Sequence, residues 1–271
     1  MVHYFPKMRI LSFAIGCGIP IAALLVYWFG FGGMIGFTDP VGMVLLALLI
    51  FGPILSFNFF NRRASAEFDR IMNLYNEDCD PQAFVDEGAL IVQNAQSPYN
   101  PFEAWFLSFY ALALLDVGRA EEAAQIGKNM QDFAESAENN EEKASYLVNI
   151  IPLVLRLFGP AAGLSVIDRA LEIVQNNPAP NSAEQEGYLI SQKRMVEAVE
   201  NHDAAYLLER CEAIRTNASG NQQMRVRVLE AEQEAQLREI TGDAVGAREC
   251  WQFVADNGNR LPSVEEARRH L

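Results

Sequence analysis

Residues 111–124 read ALALLDVGRAEEAA, and the order of residue types along them decides the fold. An apolar run from Ala111 to Leu115 stops at Gly118, and Glu121 and Glu122 then open a second run. A glycine that turns left-handed without steric cost ends one helix, and an acidic first turn meets the positive end of the next helix dipole. The same punctuation recurs on both sides, at Asp80-Pro81, Asn100-Pro101, Gly159-Pro160, His202-Asp203 and Gly242-Asp243. Between these breaks the apolar residues fall three and four apart, and no strand-like alternation of useful length occurs. Proline directly after Asp, Asn or Gly suits the first helical position, where its missing N–H is not needed. Asn100 to Glu103 and Ser263 to Glu266 have the spacing of capping boxes.

From Gly118 to Gly159 is 41 residues, to His202 a further 43, and to Gly242 a further 40. A period in this range predicts stacked helical hairpins. The pairs fall near 102–136, 141–176, 182–217 and 221–257, with an earlier pair near 63–95 turning at Glu77 to Asp80. Ser263 to His270 is left as a short closing helix that shields the last pair from water.

The stretch 111–124, and Ile240-Thr-Gly-Asp-Ala-Val-Gly-Ala-Arg248 with it, resembles the middle of a tetratricopeptide repeat. The resemblance runs loosely over residues 63–257. It implies helices that approach closely at small residues, a role that Ala123, Gly163 and Gly246 fit, and protein or peptide binding on a concave surface without catalysis. The period departs from the family's length of about 34 residues. Tyr206 stands where a small residue belongs, and Pro152 interrupts a helix.

Upstream the chain changes character. Ile10 to Phe37 and Val41 to Phe60 contain no Lys, Arg or Glu and no Asp, and each meets the length of roughly 20 apolar residues a helix needs to cross a bilayer core. Gly30, Gly32, Gly33, Gly36 and Asp39-Pro40 between them predict a short loop and a helical hairpin. Lys7 and Arg9 precede the first run, Arg62 and Arg63 follow the second, and the loop holds only Asp39. By the positive-inside rule, both termini lie in the cytoplasm and the chain is a multi-pass protein of the plasma (inner) membrane. A cleaved signal peptide is disfavoured by the second run. A lipid attachment at Cys17 would leave only Ile10 to Gly16 as apolar region, at the short end of the range. Gly16, Gly18 and Pro20 mark a kink or a close helix contact, and Gly32 with Gly36 has the GxxxG spacing.

The expectation is therefore an all-α chain: a membrane anchor over residues 1–61, then an α-solenoid of about five tetratricopeptide-like hairpins over 62–271. Residues 1–60 hold two basic and one acidic side chain, leaving 19 and 34 beyond them, a formal charge of about −15. Such a surface repels nucleic-acid phosphates and anionic headgroups, so a partner steered by charge is basic.

Chemistry-bearing patterns are few. His3, His202 and His270 have no ligand neighbour at metal spacing, and Cys17, Cys79, Cys211 and Cys250 form no CxxC pair, which suits buried thiols in a reducing compartment. Glu77, Asp78 and Asp80 around Cys79 lack the EF-hand spacing, and Asp80 reads as a helix cap. No Walker loop, GxSxG elbow or dinucleotide fingerprint occurs, so neither an enzyme, a cofactor nor a small-molecule substrate is implied.

The candidate binding region is the aromatic stretch Tyr99, Phe102, Trp105, Phe106, Phe109 and Tyr110. Phe102, Trp105, Phe106, Phe109 and Ala113 form one stripe, read as core. Leu107, Tyr110, Ala111 and Leu114 lie on another side, covered by neighbouring hairpins or open as a partner groove, and Pro152 is placed to shape such a groove. Trp105, Leu107, Tyr110 and Leu114 are the partner-binding candidates. The functional expectation is a membrane-anchored scaffold or accessory subunit of a membrane complex that binds a basic or membrane-embedded protein. The alternatives are a membrane sensor or regulator that relays a signal through the repeat, and a hydrolase with a cryptic site.

Overall fold

The computed structural model describes residues 1–30, 40–95, 100–177, 182–217 and 222–271, and among them every regular element is a helix. The loop carrying Gly32, Gly36 and Asp39, and Tyr99 ahead of the aromatic helix, lie outside the described residues. The chain divides into two compact units, residues 1–72 with 89–95, and residues 73–88 with 96–271.

In the first unit, α1 (Pro6–Phe13) and α2 (Ile19–Gly30) are joined by one π turn, Ala14–Gly18. Pro20 has no N–H to offer the Gly16 carbonyl, and a wider turn just ahead of it absorbs the missing bond. The next helix, α3 (Pro40–Asn76), runs unbroken for 37 residues. No break in the helix falls at residue 61: after Pro53 neither Pro nor Gly interrupts the chain, and Arg62-Arg63-Ala64-Ser65-Ala66-Glu67 favours continuation. A Cβ on Gly16 would lie 2.9 Å from Pro53 Cα, and Ser56 Oγ donates to the Ser12 carbonyl at 2.9 Å. The close approach expected of small residues thus occurs at Gly16 and Gly52.

Pro6–Gly30 and Pro40–Asn76 are both long and apolar enough to cross a membrane, with mean hydropathies of 2.2 and 2.3. The core helix of a soluble protein is mostly covered by its own chain, yet only 17% and 11% of these apolar windows are buried. Phe13, Val26 and Phe29 are 72%, 74% and 82% exposed.

The second unit contains the end of α3, then α4 (Pro81–Asn94) as far as Gly88, and the paired helices that follow. These are α5 (Pro101–Asp116) with α6 (Ala120–Ser136), α7 (Asn140–Phe158) with α8 (Pro160–Asn176), α9 (Ser182–Glu200) with α10 (Ala204–Asn217), and α11 (Met224–Thr241) with α12 (Ala244–Asn257). A closing helix, α13 (Ser263–His270), completes it. From α5 to α13 each helix packs on the next in chain order. The recurrent turn residues Gly118, Gly159, His202 and Gly242 all adopt positive φ, between 54° and 83°, which is why three of the four are glycine. Asn100 and Glu103 form a capping box with both bonds at 2.9 Å, and Asp80 accepts from Ala83 N at 3.0 Å. The second expected box does not form: α13 begins one position earlier, with Pro262 at its N-cap, and Ser263 Oγ is buried with no partner among the described residues.

Helix α5 is buried along most of its length, with Phe106, Leu107, Tyr110, Ala111, Ala113 and Leu114 all under 7% exposed. A helix apolar all round needs neighbours on several sides, and α6 and α7 both supply them. Gly88 lets α4 approach, since a Cβ there would stand 3.3 Å from both Phe106 and Tyr110. Gly163 is small for the expected reason, because a Cβ would overlap Leu155 of the paired helix. Gly246 is small for a different one: the bonded side chains of Arg238 and Asp243 cross over it. Tyr206, too large for such a place, lies half-buried with the Arg194 guanidinium 4.3 Å from its ring.

The end of this unit meets its beginning. Asn259 Nδ2 donates to Asp78 O at 2.6 Å, Arg260 N donates to Cys79 O at 3.1 Å, and Arg260 pairs with Asp80 at 3.0 Å. The Asp80 carboxylate and the Asp78 and Cys79 carbonyls are therefore engaged in joining the two ends, and the buried Cys79 thiol is pushed up to about 11 by burial.

Candidate functional site

The first helices of the successive pairs, α5, α7, α9 and α11, together with the connection into α13, wall a cavity of about 710 Å³. Its apolar wall comes from Trp105, Phe109 and Leu112 of α5, Val148 and Pro152 of α7, Tyr188 of α9, and Val226 and Leu229 of α11. Leu261, Pro262 and Ser263 border it from the last turn. Pro152 cannot donate to the Val148 carbonyl, so the α7 wall lacks one rung of its helical ladder where it borders the cavity.

A polar network crosses the apolar wall. Asp116 accepts the Tyr75 hydroxyl on Oδ2 at 2.7 Å and Arg156 Nη2 on Oδ1 at 2.7 Å. Tyr75 is fully buried and stacks on Phe84 at 5.2 Å, and burial together with the Asp116 carboxylate holds its pKa well above the ordinary tyrosine range. It is accordingly a hydroxyl donor at any working pH. Arg225, 8% exposed, lies with its guanidinium carbon 4.4 Å from the Tyr75 ring centroid and 5.4 Å from that of Phe109. Its Nε makes a long bond of 3.4 Å to Asn76 Oδ1. Glu232 also borders the cavity, and burial raises its carboxyl above the usual range.

The four residues singled out from sequence separate. Trp105 is 37% exposed and lines the cavity, with its ring 5.1 Å from that of Phe109. Leu107, Tyr110 and Leu114 are 1%, 6% and 1% exposed, and the Tyr110 hydroxyl donates to Val85 O at 3.2 Å. These three have no surface to present to a partner in this fold, and their place as binding candidates is corrected to core. The stripe read as core divides too: Phe106 and Ala113 are buried, while Trp105 and Phe109 face the cavity. Periodicity cannot choose between faces on a helix that is apolar on both, and here neighbouring helices cover the Leu107–Leu114 side while the other stripe is only partly covered.

Sequence reasoning also passed over Arg225, Asp116, Arg156 and Tyr188. Asp116 and Arg156 are 40 residues apart, Arg225 and Asn76 149 apart, and no local pattern joins them. A basic residue at the start of a helix, where a cation opposes the dipole, is the one signal Arg225 carried. No known protein-family model, characterised protein or solved structure matches the chain.

Proposed function

We propose that this chain is a membrane-anchored scaffold, an accessory subunit of a membrane complex, that receives a segment of a partner protein on a tetratricopeptide-like helical array. The observation that carries the reading is the cavity walled by the first helices of successive pairs, with Trp105 and Tyr188, 37% and 42% exposed, on its border. Half-exposed aromatic side chains beside a concave apolar wall are the residue type that dominates binding energy in protein interfaces. The uncharged apolar runs within the two helices support an integral place in the inner membrane, and the flanking Lys7, Arg9, Arg62 and Arg63 support cytoplasmic termini. Anchoring raises the local concentration of the array beside membrane partners without adding a contact.

The test is capture of partners by the full-length protein in mild detergent, beside a Trp105→Ala/Tyr188→Ala variant that keeps the wild-type circular dichroism spectrum. A stoichiometric partner held by the wild type and lost by the variant supports the reading. Equal retention by both rejects the cavity as the binding face, and no partner with either rejects the scaffold.

A second reading, a membrane sensor whose array relays occupancy of the cavity, is favoured by one observation. Arg225 is a buried cation on the cavity wall with no carboxylate at ion-pair distance among the described residues. In that reading a ligand completes the wall and changes what the array holds.

A further inference from the structure

The cavity is lined by a cation, Arg225, with no carboxylate at ion-pair distance among the described residues. Tyr75 and Phe109 rings lie against the Arg225 guanidinium, and its only hydrogen bond among the described residues is the long one from Nε to Asn76. Ring faces satisfy the plane of a guanidinium and do nothing for its in-plane Nη donors, which suit the two oxygens of a carboxylate. The nearby acids do not serve. Asp116 is taken by Tyr75 and Arg156, and burial disfavours the charged form of Glu232. Ser263, 6% exposed, adds to the same wall a buried hydroxyl with no partner among the described residues. The rest of the wall combines apolar side chains with the polar Ser108, Asn149, Gln192 and Gln233, and a volume of about 710 Å³ falls in the range of small-molecule sites, roughly 300–1,000 Å³.

We propose that the cavity binds a small organic carboxylate, its carboxylate held by Arg225 and its apolar body laid against Trp105, Leu112 and Leu229. The proposal rests on the sensor reading above. A small ligand is favoured over an acidic polypeptide by the charge of the chain, formally −14. A polypeptide rich in acids would run out over a like-charged surface, whereas a single carboxylate inside the cavity meets a cation.

The experiment is calorimetric titration of the full-length protein in mild detergent with octanoate and 3-phenylpropionate, their primary amides, and inorganic phosphate. Saturable one-to-one binding of a carboxylate is expected with a Kd below about 1 mM, and its amide should bind at least about tenfold more weakly. Arg225→Lys keeps the charge but loses the planar fork, and should weaken carboxylate binding by about tenfold. Because Arg225 also joins helices, Asn149→Trp serves as an independent variant that fills the cavity and should abolish binding with the arginine intact. Equal binding of acid and amide, binding of phosphate as tight as that of the organic acids, undiminished binding by Asn149→Trp, or no saturable binding by any probe would each overturn the site. Repeating partner capture with the carboxylate present separates the two ideas. Binding that leaves capture unchanged supports the site and removes the sensor reading.

Discussion

Replacing Tyr75 by Phe removes one atom from the junction where α3, α4, α5 and α11 meet, and the cost follows from the geometry. The hydroxyl donates to Asp116 at 2.7 Å from a fully buried ring, and the Asp116 side chain is 7% exposed. A hydrogen bond to a charged acceptor in such a place contributes about 1.5–3 kcal/mol net. Phenylalanine keeps the stacking on Phe84 and a face for Arg225, so only the hydroxyl is tested. We expect a loss near 2 kcal/mol, which for a unit of roughly 200 residues lowers the unfolding midpoint by about 4–8 °C. Asp116→Asn, measured alone and together with Tyr75→Phe, closes a double-mutant cycle whose coupling should be at least about 1 kcal/mol. The assay is thermal unfolding of the full chain in mild detergent, followed by near-ultraviolet circular dichroism so that tertiary packing is read. A Tyr75→Phe midpoint within about 1 °C of wild type, or strictly additive substitutions, would mean that the Tyr75–Asp116 bond does not hold this junction.

Three further expectations use separate parts of the molecule. His270 stacks on Trp251 at 4.6 Å, and hydrogen bonding to Glu266 and then Glu239 raises its pKa above 6.5. The stabilisation it gives α13 is therefore complete below the unfolded value and fades as pH rises through the raised folded value. Amide exchange in α13, corrected for its intrinsic pH dependence, should lose protection as pH rises above the ordinary histidine range and through the raised folded value, and His270→Gln should flatten that response. Leu107→Ala and Leu114→Ala should each cost about 2–5 kcal/mol in chemical denaturation, against about 1 kcal/mol for Trp105→Ala. The reverse order would return Leu107 and Leu114 to a binding surface. In a Cys17→Ala background, cysteines introduced by Ser12→Cys and Ser56→Cys should cross-link readily, and adding Gly16→Leu should suppress the bond, because overpacking against Pro53 costs about 1–3 kcal/mol. Undiminished cross-linking would show that Gly16 is not a close-approach point.

By itself the sequence determined most of the places where helices start, stop and turn, because those signals are local. Gly118, Gly159, His202 and Gly242 stand at left-handed turns, and Asn100 and Asp80 cap the helices they precede. Two long uncharged runs likewise fixed two helices able to cross a bilayer, since length and apolarity are properties of the run alone. Tertiary structure decided the rest. Arg62 and Arg63 looked like a boundary, yet α3 passes through them, because charge marks a change of surroundings and does not break a helix. Which side of α5 is core was settled by Gly88, Val85 and the flanking helices, none of which its own periodicity reveals. The joining of Asp78 to Asn259, 181 residues apart, and the convergence of Asp116, Arg156 and Arg225 on one cavity, with Tyr75 bonded to Asp116, have no local signature. Such contacts are specified by how helices stack, and a pattern read along one helix at a time carries no information about its distant neighbours.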